Sequence, residues 1–323
     1  MRQPPPLARS ILDVIGNTPL MELDRVVRSR GLAGRLLAKL DYLGPGSSKK
    51  DRVALEIIRQ GSAVGALREG QAVVELTSGN TGTGLAIVCR ALGHPFVAVM
   101  SRGNSVERVR QMAALGAEVI LVDQTPDGMA GRVSGEDLAL AEERARQIVI
   151  ERHAFPAAQF ENPANVLAHE QQTGPELWAQ ARGEVDAFVD CVGTGGTFTG
   201  VMRYLRRQDP RVRGYVVEPA GAAVLAGRPV TEPRHQLQGT GYSRGDLALL
   251  DRSLVSGYLQ VDDEEAIAAA RALSSEEGIF AGYSSGANLA AAFKLLKGPE
   301  AGRCVAFVVC DSGLKYMSTD LFP

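Results

Sequence analysis

Short apolar runs alternate with longer amphipathic stretches along most of the chain. The runs are RLLAKLD (35–41), AVVEL (72–76), PFVAVM (95–100), EVILV (118–122), VDAFVDCV (185–192), GYVVE (214–218) and CVAFVV (304–309). Rich in β-branched residues and bounded by glycine or polar turns, they read as strands. Between them the spacing of apolar positions predicts helices over 50–60, 81–92, 105–115, 135–151, 163–182, 197–207, 262–277 and 285–297. Ser105 is a candidate N-cap, and Asp262 with Glu265 forms a capping box before AIAAARAL. This alternation predicts an α/β fold of mainly parallel sheets covered by helices. Ligands in such folds bind beyond the carboxyl ends of the strands, so every strand-to-helix loop is a candidate site. Segment 124–137 reads as a surface loop, and 219–248 lacks periodicity and reads as a functional or mobile region.

Four loops carry candidate chemistry. GPGSSKKDRVA (44–54) sets Lys49 and Lys50 side by side at a helix start. It admits a solvated charge run, a nucleotide P-loop or a reactive lysine. The P-loop is discarded because Gly46 is followed by Ser-Ser-Lys-Lys-Asp, with no second glycine before the lysines and no hydroxyl after them. A lysine beside another cation loses its proton more readily and can act as an amine nucleophile. TSGNTG (77–82) follows a strand and opens a helix, so its backbone N–H groups and hydroxyls suit a carboxylate or phosphate. GTGGT (193–197) is a glycine-rich turn of the kind that cups a phosphate. It also resembles a dinucleotide fingerprint, with Glu218 at a suitable distance, but Phe198 occupies the place of the third glycine. Ser312, in CDSGLKYMST (310–319), lies just past the last strand, where its hydroxyl could meet a neutral ring nitrogen. One cofactor unites the four. Pyridoxal 5'-phosphate needs a lysine amine, a phosphate cup, a substrate-carboxylate turn and a partner for its pyridine nitrogen.

Composition narrows the picture further. The chain has 323 residues, 22% of them charged, with a formal net charge of −2. That gives no electrostatic support to nucleic-acid binding. Cys89, Cys191, Cys304 and Cys310 form no CxxC pair and read as reduced core thiols of a cytoplasmic protein. The four histidines are scattered without metal-ligand spacing, so no metal is expected. No apolar run is long enough for a signal or a membrane span.

The motifs together resemble the cysteine synthase and cystathionine β-synthase family, pyridoxal-phosphate enzymes of fold type II (tryptophan synthase β-like). The likeness rests on IGNTPL (15–20), GPGSSKKDR, ELTSGNTGTGLA, QFENPAN (159–165), HEQQTGPELW (169–178), GTGGTFTG, LQGTGY (237–242) and YSSGANLAAA (283–292). It implies two domains, a smaller mobile one over 44–158 and a larger one of 1–43 with 159–323, in a homodimer. It makes Lys50 the catalytic, cofactor-binding lysine, with Asn80 at the cofactor's ring hydroxyl. Gly193, Thr194, Gly195, Gly196 and Thr197 would hold the phosphate, and Ser312 would face the ring nitrogen. Thr77, Ser78, Asn80, Thr81, Gln159 and Gly239 would bind the substrate. Lys49 would either lower the Lys50 pKa by its charge or point into solvent, the second being the expectation, with Asp51 and Arg52 anchoring the helix start. The implied reaction is β-replacement on O-acetylserine or O-phosphoserine by sulfide, through an aminoacrylate, to give L-cysteine. Alternatives are cystathionine formation, another β-substituted amino acid, or a non-catalytic binder of a partner protein. Departures from the family pattern are Gly44 for asparagine, Leu76 for proline, a longer 124–137 segment and the flank GTGYSRGDLALLD. Tyr242 resembles the cystathionine β-synthase version, and Arg234 and Arg244 are candidates to receive a phosphorylated serine. With the chain ending near 323, the regulatory domains that some relatives carry are not expected.

Overall fold

In the computed structural model, residues 7–128, 133–233, 235–237, 239–241 and 243–322 are described. The strands are β1 (Leu20–Glu22), β2 (Arg35–Lys39), β3 (Val73–Leu76), β4 (Phe96–Ser101), β5 (Glu118–Val122), β6 (Phe155–Pro156), β7 (Ala187–Cys191), β8 (Arg213–Pro219), β9 (Gly257–Val261) and β10 (Cys304–Val308). The helices are α1 (Asp24–Ser29), α2 (Lys50–Ala63), α3 (Asn80–Leu92), α4 (Val106–Ala114), α5 (Gly135–Arg152), α6 (Ala164–Ala168), α7 (Gly174–Gln180), α8 (Gly196–Gln208), α9 (Asp263–Glu277) and α10 (Tyr283–Lys297).

Two sheets organise these elements. One runs β1-β2-β10-β7-β8-β9 and the other β5-β4-β3-β6. All neighbouring strands are parallel except the edge pair β1–β2. Every apolar run that reads as a strand in the sequence is one here. Missing from the sequence reading are α1, β1, β6 and β9. The first three are short, and β9 is a half-buried edge strand with weaker apolar character.

Alternation explains why the central strands pair as they do. On β7, Ala187, Val189 and Cys191 face one core with α9 and α10, while Phe188 faces the other beside Phe198, Val201 and Met202 of α8. A strand buried on both faces reads as a continuous apolar run, and burying each large side chain contributes about 1.5–3 kcal/mol. Asp190 interrupts that run, and its partner is described below.

The expected helix over 163–182 is divided. A π-helical turn, His169–Thr173, separates α6 from α7. Pro175, in the first turn of α7, has no N–H to donate, so a regular α-helical bond is missing there. The capping box of Asp262 and Glu265 forms, with Asp262 accepting from the Glu265 N–H at 2.8 Å. Ser105 holds the N-cap position of α4 without a side-chain cap bond, so that expectation is corrected. Among the described residues no helix is long and apolar enough to cross a membrane.

Helix α2 is fastened to the larger sheet by buried charge. Arg52 is 2% exposed and pairs with Asp41 at 2.9 Å and Glu176 at 2.6 Å. Lys39, from β2, reaches Glu176 at 2.7 Å. Burial pushes the Glu176 carboxyl up, but Arg52 and Lys39 outweigh it and hold the group at about 2.

Candidate active site

Three loops at the helix starts converge on one cleft with about 680 Å³ of space, open solvent at its mouth included. The first leads into α2. Its glycines are explained by Asp51, whose carboxylate turns back and accepts the Gly46 N–H at 2.8 Å. A Cβ on Gly46 would lie 2.2 Å from that carboxylate. Burial pushes Asp51 up to about 7, against the pull of the Gly46 N–H and Lys315. The expectation that Lys49 points into solvent is overturned. It is 7% exposed and its ammonium lies 2.8 Å from Asp190 Oδ1. Lys50, half-buried at the head of α2, lines the same cleft. Burial, and then the Lys49 charge, push its amine down to about 8.

The second loop, between β3 and α3, is braced from within. Thr77 Oγ1 accepts the N–H groups of Gly79 and Gly82, each at 3.0 Å. The Asn80 and Thr81 N–H groups open α3 and have no intrahelical acceptor. Thr81 donates to Gln159 Oε1 at 2.6 Å, while Gln159 Nε2 is spent on Glu75 and the Leu76 carbonyl. Gln159 therefore meets the cleft as a brace for Thr81, with both of its amide hydrogens committed. Asn80 donates to Asp311 and accepts from Lys315, both at 2.7 Å. Arg108, buried behind the loop, donates to the Ser78 carbonyl.

The third loop joins β7 to α8. Gly195 has φ +85, and a Cβ there would meet the Leu250 backbone N at 2.9 Å. A Cβ on Gly196 would lie 2.2 Å from Asn165 Oδ1. The turn therefore presents bare backbone at the start of a 13-residue helix, which favours an anion. His169, fully buried in the π-helical turn, faces Thr197 Oγ1 at 3.1 Å and Thr173 at 2.9 Å. Burial, with the cations of Lys49, Lys50 and Arg52, keeps it neutral. Nothing in the scattered histidine spacing marks this role.

The dinucleotide reading fails on two contacts. Phe198 is fully buried in the core, and Glu218 is consumed by the N–H groups of Leu225 and Ala226 at 2.8 and 2.9 Å.

Comparison with known proteins agrees with this geometry. A family model described as "Pyridoxal-phosphate dependent enzyme" matches residues 11–311. Cysteine synthase 3 of Caenorhabditis elegans is 39% identical over 314 residues, covering 96% of this chain and 88% of that protein. The chain belongs to the pyridoxal-phosphate-dependent enzymes of the cysteine synthase family. Among solved structures, O-ureido-L-serine synthase matches with TM-score 0.87 and 37% identity over 98% of this chain and 96% of that one. O-acetyl serine sulfhydrylase isoform 3 of Entamoeba histolytica matches with TM-score 0.90 and 35% identity, over all of this chain and 94% of that one. The fold is thus that of the fold type II enzymes.

The cleft of this family member fits pyridoxal phosphate. It offers an amine without an ion-pair partner among the described residues, and a glycine turn packed so closely on Leu250 and Asn165 that no Cβ fits at 195 or 196. Lys50, Thr77, Ser78, Asn80, Thr81, Gln159, Gly193, Thr194, Gly195, Thr197 and Gly239 all line it, and Gly196 stands behind the turn as the first residue of α8. Ser312 does not, which corrects the sequence reading. Its Oγ accepts the Leu314 N–H at 3.2 Å and caps a short 3-10 helix, Gly313–Tyr316. Ser284, at the start of α10, lines the cleft instead, beside Cys310. The helix-start motif YSSGAN carried that signal; its position after a glycine marks it as another loop-to-helix junction. Arg244 does not line the cleft either. It pairs with Glu142 at 2.9 Å and lies over the Phe160 ring. Arg234 and Tyr242 fall outside the described residues.

Proposed function

We propose that this enzyme carries out β-replacement on an activated L-serine, O-acetyl-L-serine or O-phospho-L-serine, with sulfide as the acceptor and L-cysteine as the product. The observation that carries the reading is the placement of the Lys50 amine, the α3 N-terminus and the Gly193–Thr197 turn around one cleft. The cysteine synthase and O-acetyl serine sulfhydrylase relatives support it. A second reading, synthesis of another β-substituted amino acid, is favoured by the likeness to O-ureido-L-serine synthase.

Bound in the cleft, pyridoxal phosphate supplies an aldehyde carbon that captures amines and an electron sink for bond cleavage at Cα. The residues divide the remaining work. The Gly193–Thr197 turn and the N-terminus of α8 hold the phosphate, with Thr197 oriented by His169. The Asn80 and Thr81 N–H groups, with the Thr77 hydroxyl, hold the substrate carboxylate. Asn80 has a second amide hydrogen for the ring hydroxyl, and Ser284 takes the place at the ring nitrogen first given to Ser312. Lys50 removes the Cα proton and returns it after the acceptor adds. A buried amine near 8 keeps a useful neutral fraction at neutral pH.

The two domains and the homodimer belong to the same proposal. Every strand of the four-stranded sheet lies between residues 73 and 156, which supports a smaller unit over 44–158. Its closure over the carboxylate would exclude water. Four unpaired cysteines suit a cytoplasmic location.

Absorbance titration with O-acetyl-L-serine, O-phospho-L-serine and L-serine separately tests the donor. One donor is expected to convert the resting cofactor band to a new band that sulfide then reverses. A cofactor band that no serine derivative moves would sink the reading. The phosphate cup has its own test in Gly196→Ala. The added Cβ must displace Asn165, so affinity for pyridoxal phosphate in equilibrium dialysis is expected to fall about tenfold or more, about 1.4 kcal/mol. Unchanged affinity would move the phosphate elsewhere.

A further inference from the structure

Two neighbouring lysines enter the cleft and are treated in opposite ways. Lys49 is nearly buried and bound to Asp190, which is itself 1% exposed. Lys50 has no carboxylate within ion-pair distance among the described residues. The proposed reaction uses Lys50 and leaves the Lys49–Asp190 pair without a task. Stability does not supply one. Replacing a buried ion pair by well-packed apolar groups is often neutral or favourable, so a charge on an otherwise apolar buried strand asks for another reason.

We propose that Lys49 is a positioning residue for the proposed reaction, its ammonium anchored on Asp190 so that its charge stands beside the Lys50 amine at the cleft wall and eases that amine's deprotonation. The proposal rests on the assignment of Lys50 as the cofactor-binding lysine. The Asp190 contact does two things. It compensates the Lys49 charge, so that this buried lysine keeps its proton above the ordinary lysine range despite burial. It also ties the ammonium to β7, so that Lys49 is not free to compete for the cofactor. Of two adjacent amines, one is thereby held charged and the other loses its proton more readily.

The surrounding charges define the balance. Burial and Lys49 push the Lys50 amine down, while Asp190 from β7, and Cys310 and Asp311 beyond β10, pull it up. On α2 itself, Asp51 is turned toward Gly46, and Arg52 is paired with Asp41 and Glu176. His169, from the π-helical turn, is neutral. Lys49 acts on Lys50 more strongly than Asp190 does, so removing its charge moves the amine up.

The test is the titration of Lys50 in the full-length, cofactor-stripped chain, by trace acetylation with acetic anhydride across pH and mass spectrometry of the Lys50 peptide. Lys49→Gln keeps a donor for Asp190 but removes the charge. It is expected to raise the midpoint by about one pH unit or more, a tenfold loss of neutral amine near neutral pH. Lys49→Arg keeps the charge and is expected to leave the midpoint close to that of the unaltered chain. A merely structural pair would be satisfied by the glutamine, so an unmoved or lowered midpoint in Lys49→Gln overturns the proposal. If that variant does not fold, Lys49→Val combined with Asp190→Ala replaces the pair by apolar residues. Its midpoint must then rise above that of the unaltered chain, and an unmoved or lowered midpoint would overturn the proposal. Borohydride reduction of the cofactor-loaded protein separates this from the functional reading. Cofactor absent from the Lys50 peptide would defeat the assignment of Lys50, whereas the amine titration alone decides what Lys49 does to its neighbour.

Discussion

Replacing Lys50 by alanine is expected to lower turnover by about 10²–10⁴-fold, the range lost when a positioned general base is removed. The size of the effect follows from the surroundings. Among the described residues that line the cleft, Lys50 is the lysine without an ion pair, and the neighbouring candidates for its proton transfer are held elsewhere. Lys49 is the obvious substitute by sequence, but Asp190 holds it at 2.8 Å and keeps it charged. His169 is occupied by Thr173 and Thr197. Lys315 is committed to Gly46 and Asn80. The check is paired: single-turnover rates with the donor identified by titration, and the mass of the chain after borohydride reduction with pyridoxal phosphate. Loss of both rate and fixed cofactor is the expected result. A variant that keeps its rate within about tenfold would show that Lys50 is not the base.

Arg52→Met is expected to destabilise the fold by about 3–5 kcal/mol, because it removes one partner from a buried pair and leaves charge behind. Arg52 satisfies both oxygens of Asp41 and both of Glu176, and shares the Thr18 hydroxyl with Asp41. Lys39 would still serve Glu176, but Asp41, 2% exposed, would keep only the Thr18 hydroxyl. The measurement is the shift in urea midpoint at constant slope, followed by circular dichroism; a change below about 1 kcal/mol would show that the network relaxes without Arg52. The same network predicts acid sensitivity. The Glu176 carboxyl is held below its ordinary value, so its contribution is complete above about 4.5 and fades as pH falls toward about 2. Arg52→Met should lose part of that acid dependence.

Most of the framework was legible in the chain because central parallel strands are buried on both faces and declare themselves as apolar runs. Edge strands do not. β9 carries Gln260 and is half-buried, and β1 and β6 are held by their neighbours rather than by their own pattern. The glycine-rich turns were legible for a related reason. GTGGT and GPGSS leave no room for side chains, and the structure shows Leu250, Asn165 and Asp51 filling the space a Cβ would take.

What sequence alone determined was the set of loops and the lysine-bearing helix start, since local spacing places each motif at a strand end or helix N-terminus. The partners were decided by tertiary structure. Ser284 and Ser312 are equally plausible hydroxyls in a string of letters, and only the packing of α10 against β10 brings the first to the cleft and turns the second into a cap. Gln159 reads as a ligand but is consumed by Glu75, Leu76 and Thr81. Lys49 reads as a solvated charge, yet Asp190 meets it from a strand 141 positions away. Electrostatic partners across such distances leave no periodic trace, because a buried charge needs a counter-charge at a point in space, and spacing along the chain does not encode where that point lies.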